Sequence, residues 1–252
     1  MKAAILGLPQ VGKTTLFQML TGLEAGRRDD IVGVAKLPDT RLDQLSALFH
    51  PRKHTAATLE LVDLASLTEA SLREGTSIAA LRGGDALIHV LRAFPDPSVP
   101  HEAGTVDPMR DLQRLDFDLI ISDLGQVEKR LERVGKELKK QRTPALTEEA
   151  ALLDRMKAEL EAERPLRAMP LTAAEERVTR GFQFLSQKPL LYVLNVGEEE
   201  AAQMDTAWAR AKGGAVGTEP KTGAVVVCAK IEAEIASLPA EDAAAFLQGY
   251  GL

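Results

Sequence analysis

The sequence predicts an α/β fold, in which a mostly parallel β-sheet is flanked by helices and carries an inserted, coiled-coil-like α-helical hairpin. Two observations predict it. Short apolar runs bounded by turn residues alternate with helical segments over residues 1–110 and 187–252, as in parallel sheets covered on both faces. Residues 111–186 instead repeat their apolar side chains at spacings of three and four, which is typical of helix-on-helix packing. We therefore expect an α/β domain formed by the first two ranges and a helical domain inserted between them.

Apolar runs and the spacing of apolar residues predict the strands and helices of the α/β domain. Apolar runs predict strands at residues 3–6, 31–36, 58–62, 85–91, 190–196 and 224–227. Helical spacing and stop signals predict helices at residues 13–21, 41–49, 231–238 and 243–247. Residues 94–107 are rich in proline and glycine and predict a connection.

The insertion begins with a long apolar seam. Its members are Phe117, Ile120, Leu124, Val127, Leu131, Val134 and Leu138. Residues 143–144 (Thr-Pro) break the pattern, and Leu153, Met156 and Leu160 resume it on a second helix. This predicts an antiparallel hairpin whose tip is near residues 141–144.

A third helix of the insertion is predicted to start at Thr172. Thr172 and Glu175 have the spacing of a capping box, in which each side chain satisfies a free backbone amide of the first turn. Val178, Phe182 and Leu185 then form the predicted apolar face.

Composition narrows the class of protein. The 252 residues are 45% hydrophobic and 27% charged, which is ordinary for a globular protein. The net charge of −6 argues against a globally basic nucleic-acid-binding surface, although a local basic patch is compatible with it. The single cysteine, Cys228, allows no disulfide within the chain, and no apolar run approaches the ~20 residues of a membrane span. We expect a cytoplasmic protein without membrane contact.

The chemistry-bearing motif is GLPQVGKT at residues 7–14, between a predicted strand and a predicted helix. It matches the phosphate-binding pattern G-x-x-x-x-G-K-[ST] in the context that pattern requires. Main-chain amides and the positive end of the helix dipole face the phosphates there, and glycine allows the backbone to approach closely. Lys13 is expected to reach the β- and γ-phosphates as the main catalytic cation. The hydroxyl of Thr14 is expected to bind Mg²⁺.

A second Mg²⁺ contact is expected from Asp63. This residue ends the apolar run at residues 59–63, the usual position of the acid that holds the metal through water. The alternative is an aspartate that only caps a loop.

In these motifs, the chain resembles the YchF/Obg-like ATPase branch of the Obg superfamily of P-loop GTPases. The family's GLPNVGKSTLF is similar to residues 7–17 here, and its DAIGHVVRCF is similar to residues 85–94. Further matches lie, in order, at Val34 with residues 38–42, at residues 106–108 and at residues 231–235. The resemblance implies binding of ATP or GTP with Mg²⁺, slow hydrolysis as a molecular switch, and association with the ribosome. The family's C-terminal TGS-like domain has no counterpart in this sequence, so we expect a shortened relative or a fragment.

The resemblance also implies the base-binding residues. NVGE at residues 195–198 replaces the N-K-x-D motif of GTPases, which weakens guanine discrimination and leaves ATP and GTP open. Residues 228–230 (Cys-Ala-Lys) correspond to the last base-contacting loop, where Cys228 is either a contact or a buried thiol. The expected nucleotide contacts are Leu8, Pro9, Gln10, Val11, Gly12, Lys13, Thr14, Thr15, Asn195, Glu198, Cys228 and Ala229.

Several departures from the family bear on catalysis. Residues 25–30 look shortened and lack the threonine that completes Mg²⁺ coordination, and Ser66 replaces the glycine of the D-x-x-G motif. Leu67 stands where Ras-type enzymes hold a water-orienting glutamine, a trait of this branch. Gln10 replaces an asparagine associated with a monovalent cation. His89 is then the candidate catalytic residue for positioning water, the alternative being a histidine of the core.

The predicted hairpin tip is basic, which suggests contact with ribosomal RNA; the alternative is a solvated helix face balanced by glutamates. The basic residues are Lys129, Arg130, Arg133, Lys136, Lys139, Lys140 and Arg142. Three functions remain open at this point: a hydrolysing switch, a nucleotide-binding module that does not hydrolyse, and a P-loop small-molecule kinase. The kinase is disfavoured because such an enzyme should carry a substrate lid rich in arginines, whereas the insertion is predicted to be a coiled hairpin.

Overall fold

The computed structural model describes residues 1–23, 31–64, 76–211, 213–239 and 242–243. Its strands are β1 (Lys2–Leu6), β2 (Ile31–Leu37), β3 (Ala57–Asp63), β4 (Ala86–Arg92), β5 (Leu190–Asn195) and β6 (Thr222–Val227). Its α-helices are α1 (Lys13–Thr21), α2 (Thr40–Phe49), α3 (Thr76–Arg82), α4 (Pro108–Lys140), α5 (Pro144–Glu161), α6 (Ala173–Thr179), α7 (Ala207–Arg210) and α8 (Ala229–Ser237). Short 3₁₀ segments cover Leu166–Ala168, Arg180–Phe182 and Glu198–Thr206.

Over these residues the strands form one sheet in the order β2-β3-β1-β4-β5-β6. Neighbouring strands from β3 to β6 run parallel, and β2 alone in this sheet runs antiparallel to its neighbour β3. The predicted mostly parallel sheet is confirmed. Because parallel strands end at the same edge, the residues that follow β1, β3, β4, β5 and β6 converge there, where ligands bind in such sheets.

Helices cover the two faces of the sheet. On one face, Phe17 and Leu16 of α1 pack on an apolar layer that includes Ile5. On the other, Leu112 and Leu119 from the first turns of α4 pack against the sheet. The buried β-strands therefore have apolar side chains on both faces, as expected for parallel sheets.

The helical hairpin is present as predicted. Asp107 and Thr143 cap α4 and α5 by accepting backbone amide hydrogen bonds, and a proline occupies the first turn of each helix. Arg130 on α4 forms two hydrogen bonds to Glu149 on α5, with N–O distances of 2.7 and 2.8 Å. Apolar residues of the seam form the hairpin core with Leu153, Met156 and Leu160.

One seam residue is placed wrongly by the sequence pattern. Phe117 is 43% exposed, because α4 begins as a cover for the sheet and only later becomes part of the hairpin. Leu115 and Leu119 are buried against the sheet, which turns Phe117 to solvent. The predicted seam is correct from Ile120 onwards.

The third helix is shorter than predicted. Its capping box between Thr172 and Glu175 is confirmed, but α6 ends at Thr179 and Val178 is exposed. Gln183 adopts a left-handed conformation with φ of 52°, which cannot continue a helix. Phe182 therefore lies in the 3₁₀ turn after α6, and Leu185 is buried in the following segment.

The return from the insertion to the sheet is anchored by a buried aspartate. Both carboxylate oxygens of Asp123 on α4 accept hydrogen bonds, at 3.0 Å from the Leu185 amide and at 2.7 and 2.8 Å from the amide and hydroxyl of Ser186. Asp123 is fully buried, so its removal would leave these donors unsatisfied. This contact fixes α4 against the segment that leads into β5.

Some predicted features lie outside the described residues: the shortened segment at 25–30, Ser66, Leu67 and most of the closing helix at 243–247. In the described part of the chain, no helix has the length and apolar character needed to cross a bilayer.

Candidate functional site

The loop at residues 7–14 connects β1 to α1 and is shaped by two glycines. Gly7 and Gly12 have φ angles of 151° and 98°, which disfavour other residues. A Cβ atom on Gly7 would lie 2.5 Å from the carbonyl oxygen of Val90, and one on Gly12 would lie 2.3 Å from Nδ2 of Asn195. The glycines therefore permit a close approach of this loop to β4 and to the end of β5.

Lys13 lies at the centre of this loop, with only 5% of its surface exposed. Its Nζ donates hydrogen bonds to the carbonyl oxygens of Gly7 and Leu8 at 3.0 and 2.8 Å. Burial lowers the pKa of Lys13 to about 8, and the nearby charge of Asp63 acts in the opposite direction. The loop thus holds a desolvated cation, whose attraction to phosphate is weakly screened by water.

Thr14 and Asp63 are brought together at the carboxyl edge of the sheet. The Thr14 hydroxyl donates a hydrogen bond of 2.8 Å to Oδ2 of Asp63, the last residue of β3. A hydroxyl beside a carboxylate suits Mg²⁺, which usually takes one or two protein ligands together with substrate phosphates. Within the described residues, no group of three or more His, Cys, Asp or Glu side chains is placed to hold a metal ion. The metal would therefore need the phosphates as additional ligands. The two side chains therefore fit Mg²⁺ bound with a nucleotide.

Asn195 ties the phosphate-binding loop to the other end of the cleft. Its Nδ2 donates to the carbonyl oxygen of Val11 at 2.9 Å, and its Oδ1 accepts from the amide of Ala229 at 3.0 Å. Both ends of the amide are engaged by protein, so Asn195 holds the phosphate-binding loop against the loop that begins α8.

The remaining predicted base contacts line the same cleft. Glu198 forms an ion pair with Lys230 at 2.5 Å beside Ala229. Cys228 is fully buried, and burial raises the pKa of its thiol. Burial of Cys228 therefore favours a packed, neutral thiol over a nucleotide contact. Leu8 and Val11 are buried and, like Pro9, are not among the residues that line the cleft in the described part of the chain.

Sequence reasoning missed one wall of the cleft, the segment after β4. Phe94, Asp96 and Val99 line the cleft there. The buried guanidinium of Arg92 holds this segment by donating to the carbonyl oxygens of Phe94 and Asp96 at 3.0 and 3.3 Å, and it lies 4.6 Å from the centre of the Phe94 ring. An arginine ending a buried strand was the available signal, because buried arginines require several acceptors.

His89 is not among the residues that line the cleft in the described part of the chain. It is 1% exposed within β4, and its ring centre lies 5.9 Å from that of Tyr192. Burial, with the charges of Lys13 and Arg167, lowers its pKa to about 3, so it is neutral at physiological pH. The geometry therefore favours a core histidine over one that positions water.

These parts enclose a cleft of about 1150 Å³ at the carboxyl edge of the sheet. The loop at residues 7–14 forms one end, and residues 195–200 with 228–230 form the other. A glycine-lined phosphate loop, a buried lysine and a Thr–Asp pair after a neighbouring strand define a P-loop nucleoside triphosphatase.

Comparison with known proteins narrows this class. The family model described as 50S ribosome-binding GTPase matches residues 2–147. The ribosome-binding ATPase YchF of Bacillus subtilis is 37% identical over 261 residues, which cover 99% of this chain and 71% of that protein. Obg-like ATPase 1 of Oryza sativa subsp. indica is 31% identical, with 98% of this chain and 65% of that protein covered. The chain belongs to the YchF/Obg-like ATPase family of P-loop GTPases.

The fold agrees with this membership. The structure of the Schizosaccharomyces pombe YchF GTPase superimposes with a TM-score of 0.77 at 23% sequence identity, covering 100% of this chain and 71% of that one.

Proposed function

We propose that this protein hydrolyses a nucleoside triphosphate slowly, with Mg²⁺, and acts as a switch. The observation that carries the proposal is the buried Lys13 ammonium next to the Thr14–Asp63 pair at the mouth of the glycine-lined loop. Family membership favours this function over the alternative of a module that only binds nucleotide.

In the proposed reaction, water attacks the γ-phosphorus, and the bond to the β,γ-bridging oxygen breaks to release a diphosphate and inorganic phosphate. Lys13 and the loop amides stabilise the negative charge that develops on the phosphate oxygens. Thr14 and Asp63 would hold Mg²⁺, whose charge offsets that of the β- and γ-phosphates. Gln10 and Thr15 line the same end of the cleft. Their main-chain amides would bind the phosphates.

At the other end of the cleft we place the base. Phe94 offers an apolar face, and the main chain around Ala229 with Glu198 offers polar contacts. The ion pair with Lys230 holds Glu198 in place. None of these residues is the aspartate that selects guanine in the N-K-x-D motif, so we propose that both ATP and GTP enter the cleft.

The inserted domain, residues 111–186, is proposed as an arm that reaches a ribosomal partner in the cytoplasm. The Bacillus subtilis relative and the matching family model are both described as ribosome-binding. Near the tip, Lys139, Lys140 and Arg142 form no ion pair with any described residue, whereas Arg130 pairs with Glu149. The unpaired cations are the part of the hairpin suited to phosphate groups.

The direct test is titration of the purified chain with ATP, GTP, ADP and GDP, with and without Mg²⁺, followed by single-turnover hydrolysis. We expect triphosphate binding that strengthens with Mg²⁺ and phosphate release above the uncatalysed rate. Binding without any release would leave the binding module as the function. No affinity for any of the four nucleotides at millimolar concentration would refute both.

The buried Lys13 predicts a specific pH dependence. Its pKa is about 8 in the free protein, and bound polyphosphate must raise that pKa because it favours the charged ammonium. Nucleotide affinity should therefore be highest below about pH 8 and fall by up to about tenfold per pH unit above it, until the pKa of the complex is reached. Isothermal calorimetry in buffers of different ionisation heat should detect proton uptake on binding above about pH 8.

The Lys13→Arg variant is the matched control for this pH effect. A guanidinium remains protonated across the range, so whatever affinity this variant keeps should lack the decline. Proton release on binding to the unmodified protein, or a flat pH profile, would contradict the role given to Lys13.

A further inference from the structure

The surface at the end of α2 has no role in the fold described above. None of the α2 residues is buried, although the helix carries an apolar stripe. At its C-terminal end, Leu48 and Phe49 are 70% and 72% exposed. Exposed side chains of this size, next to each other, contribute little to folding and are typical of a binding surface.

The turn that follows α2 is basic. Arg52 and Lys53 are exposed and follow Phe49 by three and four residues. Lys36, at the same end of the sheet on β2, is also exposed. Within the residues that the structure describes, none of these three cations forms an ion pair.

The neighbouring charges of α2 are already paired. Arg41 binds Asp39 through two hydrogen bonds at 2.9 and 2.7 Å, and Asp43 lies 3.5 Å from His54. Among the described residues, Arg52 and Lys53, which follow the exposed phenylalanine in the chain, are left without an acid. We call Leu48, Phe49, Arg52 and Lys53 the α2-turn surface.

An exposed aromatic ring flanked by unpaired cations suits single-stranded nucleic acid, because bases stack on the ring while the cations contact phosphates. The helical hairpin lacks this combination, since no Phe, Trp or Tyr occurs between residues 118 and 181. An acidic protein partner would satisfy the cations but would leave unexplained why an aromatic ring and cations lie together on an exposed turn.

The α2-turn surface is also compatible with an occupied nucleotide cleft. It precedes the first residue of β3, whereas Asp63, at the other end of that strand, faces the cleft. A strand of this length separates the two by about 20 Å. An RNA bound to the turn would leave the cleft open.

We propose that the α2-turn surface binds a single-stranded RNA segment through stacking on Phe49 and phosphate contacts from Arg52 and Lys53. The inference deepens the ribosome association proposed above and rests on it for its biological setting.

The test uses the full chain and a short, fluorescein-labelled single-stranded RNA of mixed sequence, followed by fluorescence anisotropy. Phe49→Ala should weaken binding by about tenfold, and should have no such effect on the same sequence annealed as a duplex, whose bases are already stacked. The double variant Arg52→Ala/Lys53→Ala should reduce the slope of log affinity against log salt by about 1.4, for two lost phosphate contacts.

Two control variants match these changes elsewhere on the surface. Phe117→Ala removes an exposed phenylalanine from α4, and Arg177→Ala/Arg180→Ala removes two exposed cations near α6. Neither should alter RNA binding. Nucleotide affinity of all variants should equal that of the unmodified protein, which also shows that they are folded.

Unchanged single-strand affinity in Phe49→Ala, or an unchanged salt slope in the double variant, would overturn the proposal. Loss of ribosome co-sedimentation in Phe49→Ala with RNA binding intact would assign the surface to a protein partner and overturn it too. A chain that binds nucleotide but no RNA defeats this inference alone, whereas RNA binding without nucleotide binding defeats only the proposed function.

Discussion

Replacing Lys13 by alanine is expected to lower the single-turnover rate of triphosphate hydrolysis by about a hundredfold or more. The ammonium lies desolvated between the carbonyl groups of Gly7 and Leu8, where its charge acts on phosphate at low effective dielectric. Alanine removes that charge and keeps the Thr14 hydroxyl and the Asp63 carboxylate in the chain. Phosphate release measured with enzyme in excess over nucleotide checks the prediction.

The control for Lys13→Ala is Lys157→Ala. Lys157 is a lysine of the hairpin paired with Glu128 at 3.0 Å, far from the cleft in the fold, and its loss should leave hydrolysis unchanged. If Lys13→Ala released phosphate at the unmodified rate, the activity would belong to another site or to a contaminant, and the assignment of this loop would fail.

The Asn195→Asp substitution keeps the shape of the side chain but is expected to lower both the stability of the protein and its affinity for nucleotide. The aspartate keeps an acceptor for the Ala229 amide but places a carboxylate oxygen against the Val11 carbonyl oxygen, where Nδ2 now donates. Burying that unsatisfied charge should lower the free energy of unfolding by about 2–4 kcal/mol near neutral pH. Nucleotide affinity should fall as well, because the tether between the phosphate loop and the base loop is lost. Urea denaturation and nucleotide titration measure the two effects.

The sign of the pH effect separates this explanation from general damage. The buried aspartate would have a folded-state pKa above its unfolded value. The variant therefore gains stability relative to the unmodified protein as the pH falls below the folded-state pKa, until the unfolded-state pKa is reached. A protonated carboxyl can again donate to Val11. Asn195→Ala lacks this group and should show no such recovery. If the Asn195→Asp variant were as stable at pH 8 as the unmodified protein, Asn195 would not act as a tether between the two loops.

The phosphate site was predictable because its parts are contiguous in sequence. Residues 7–14 combine the two glycines, Lys13 and Thr14 in one strand–loop–helix unit, and the bounds of α1 match the predicted helix. Asp63 was predictable because it ends an apolar run and therefore a buried strand.

Features that depend on distant contacts were not predictable. The wall formed by Phe94 exists because Arg92 folds back on the main chain after β4. An arginine at the end of an apolar strand indicates that acceptors are needed, but not which carbonyl groups provide them. His89 was ambiguous for a related reason: in a strand buried on both faces, alternation cannot tell a cleft-facing side chain from a core one. The antiparallel orientation of β2 relative to β3 was likewise not predictable, since a short apolar run does not indicate the direction of a strand.

The spacing of apolar residues also gave wrong predictions where a helix packs against a new neighbour or ends. Phe117 continues the spacing of the hairpin seam, yet α4 has the sheet as its neighbour at that point. The overestimated third helix has the same origin, because Phe182 and Leu185 keep helical spacing after the backbone has turned at Gln183.

The length of α4 has a mechanical consequence. Its 33 residues form a rod of about 50 Å, rooted on the sheet and clamped at Asp123. From that clamp the remaining turns project about 25 Å to Lys140. A tilt of about 7° at the root, produced by sub-ångström shifts among the packed strands, would sweep the far end through about 3 Å, the size of one hydrogen bond. A small shift at the root of α4 would therefore become a larger displacement at the hairpin tip.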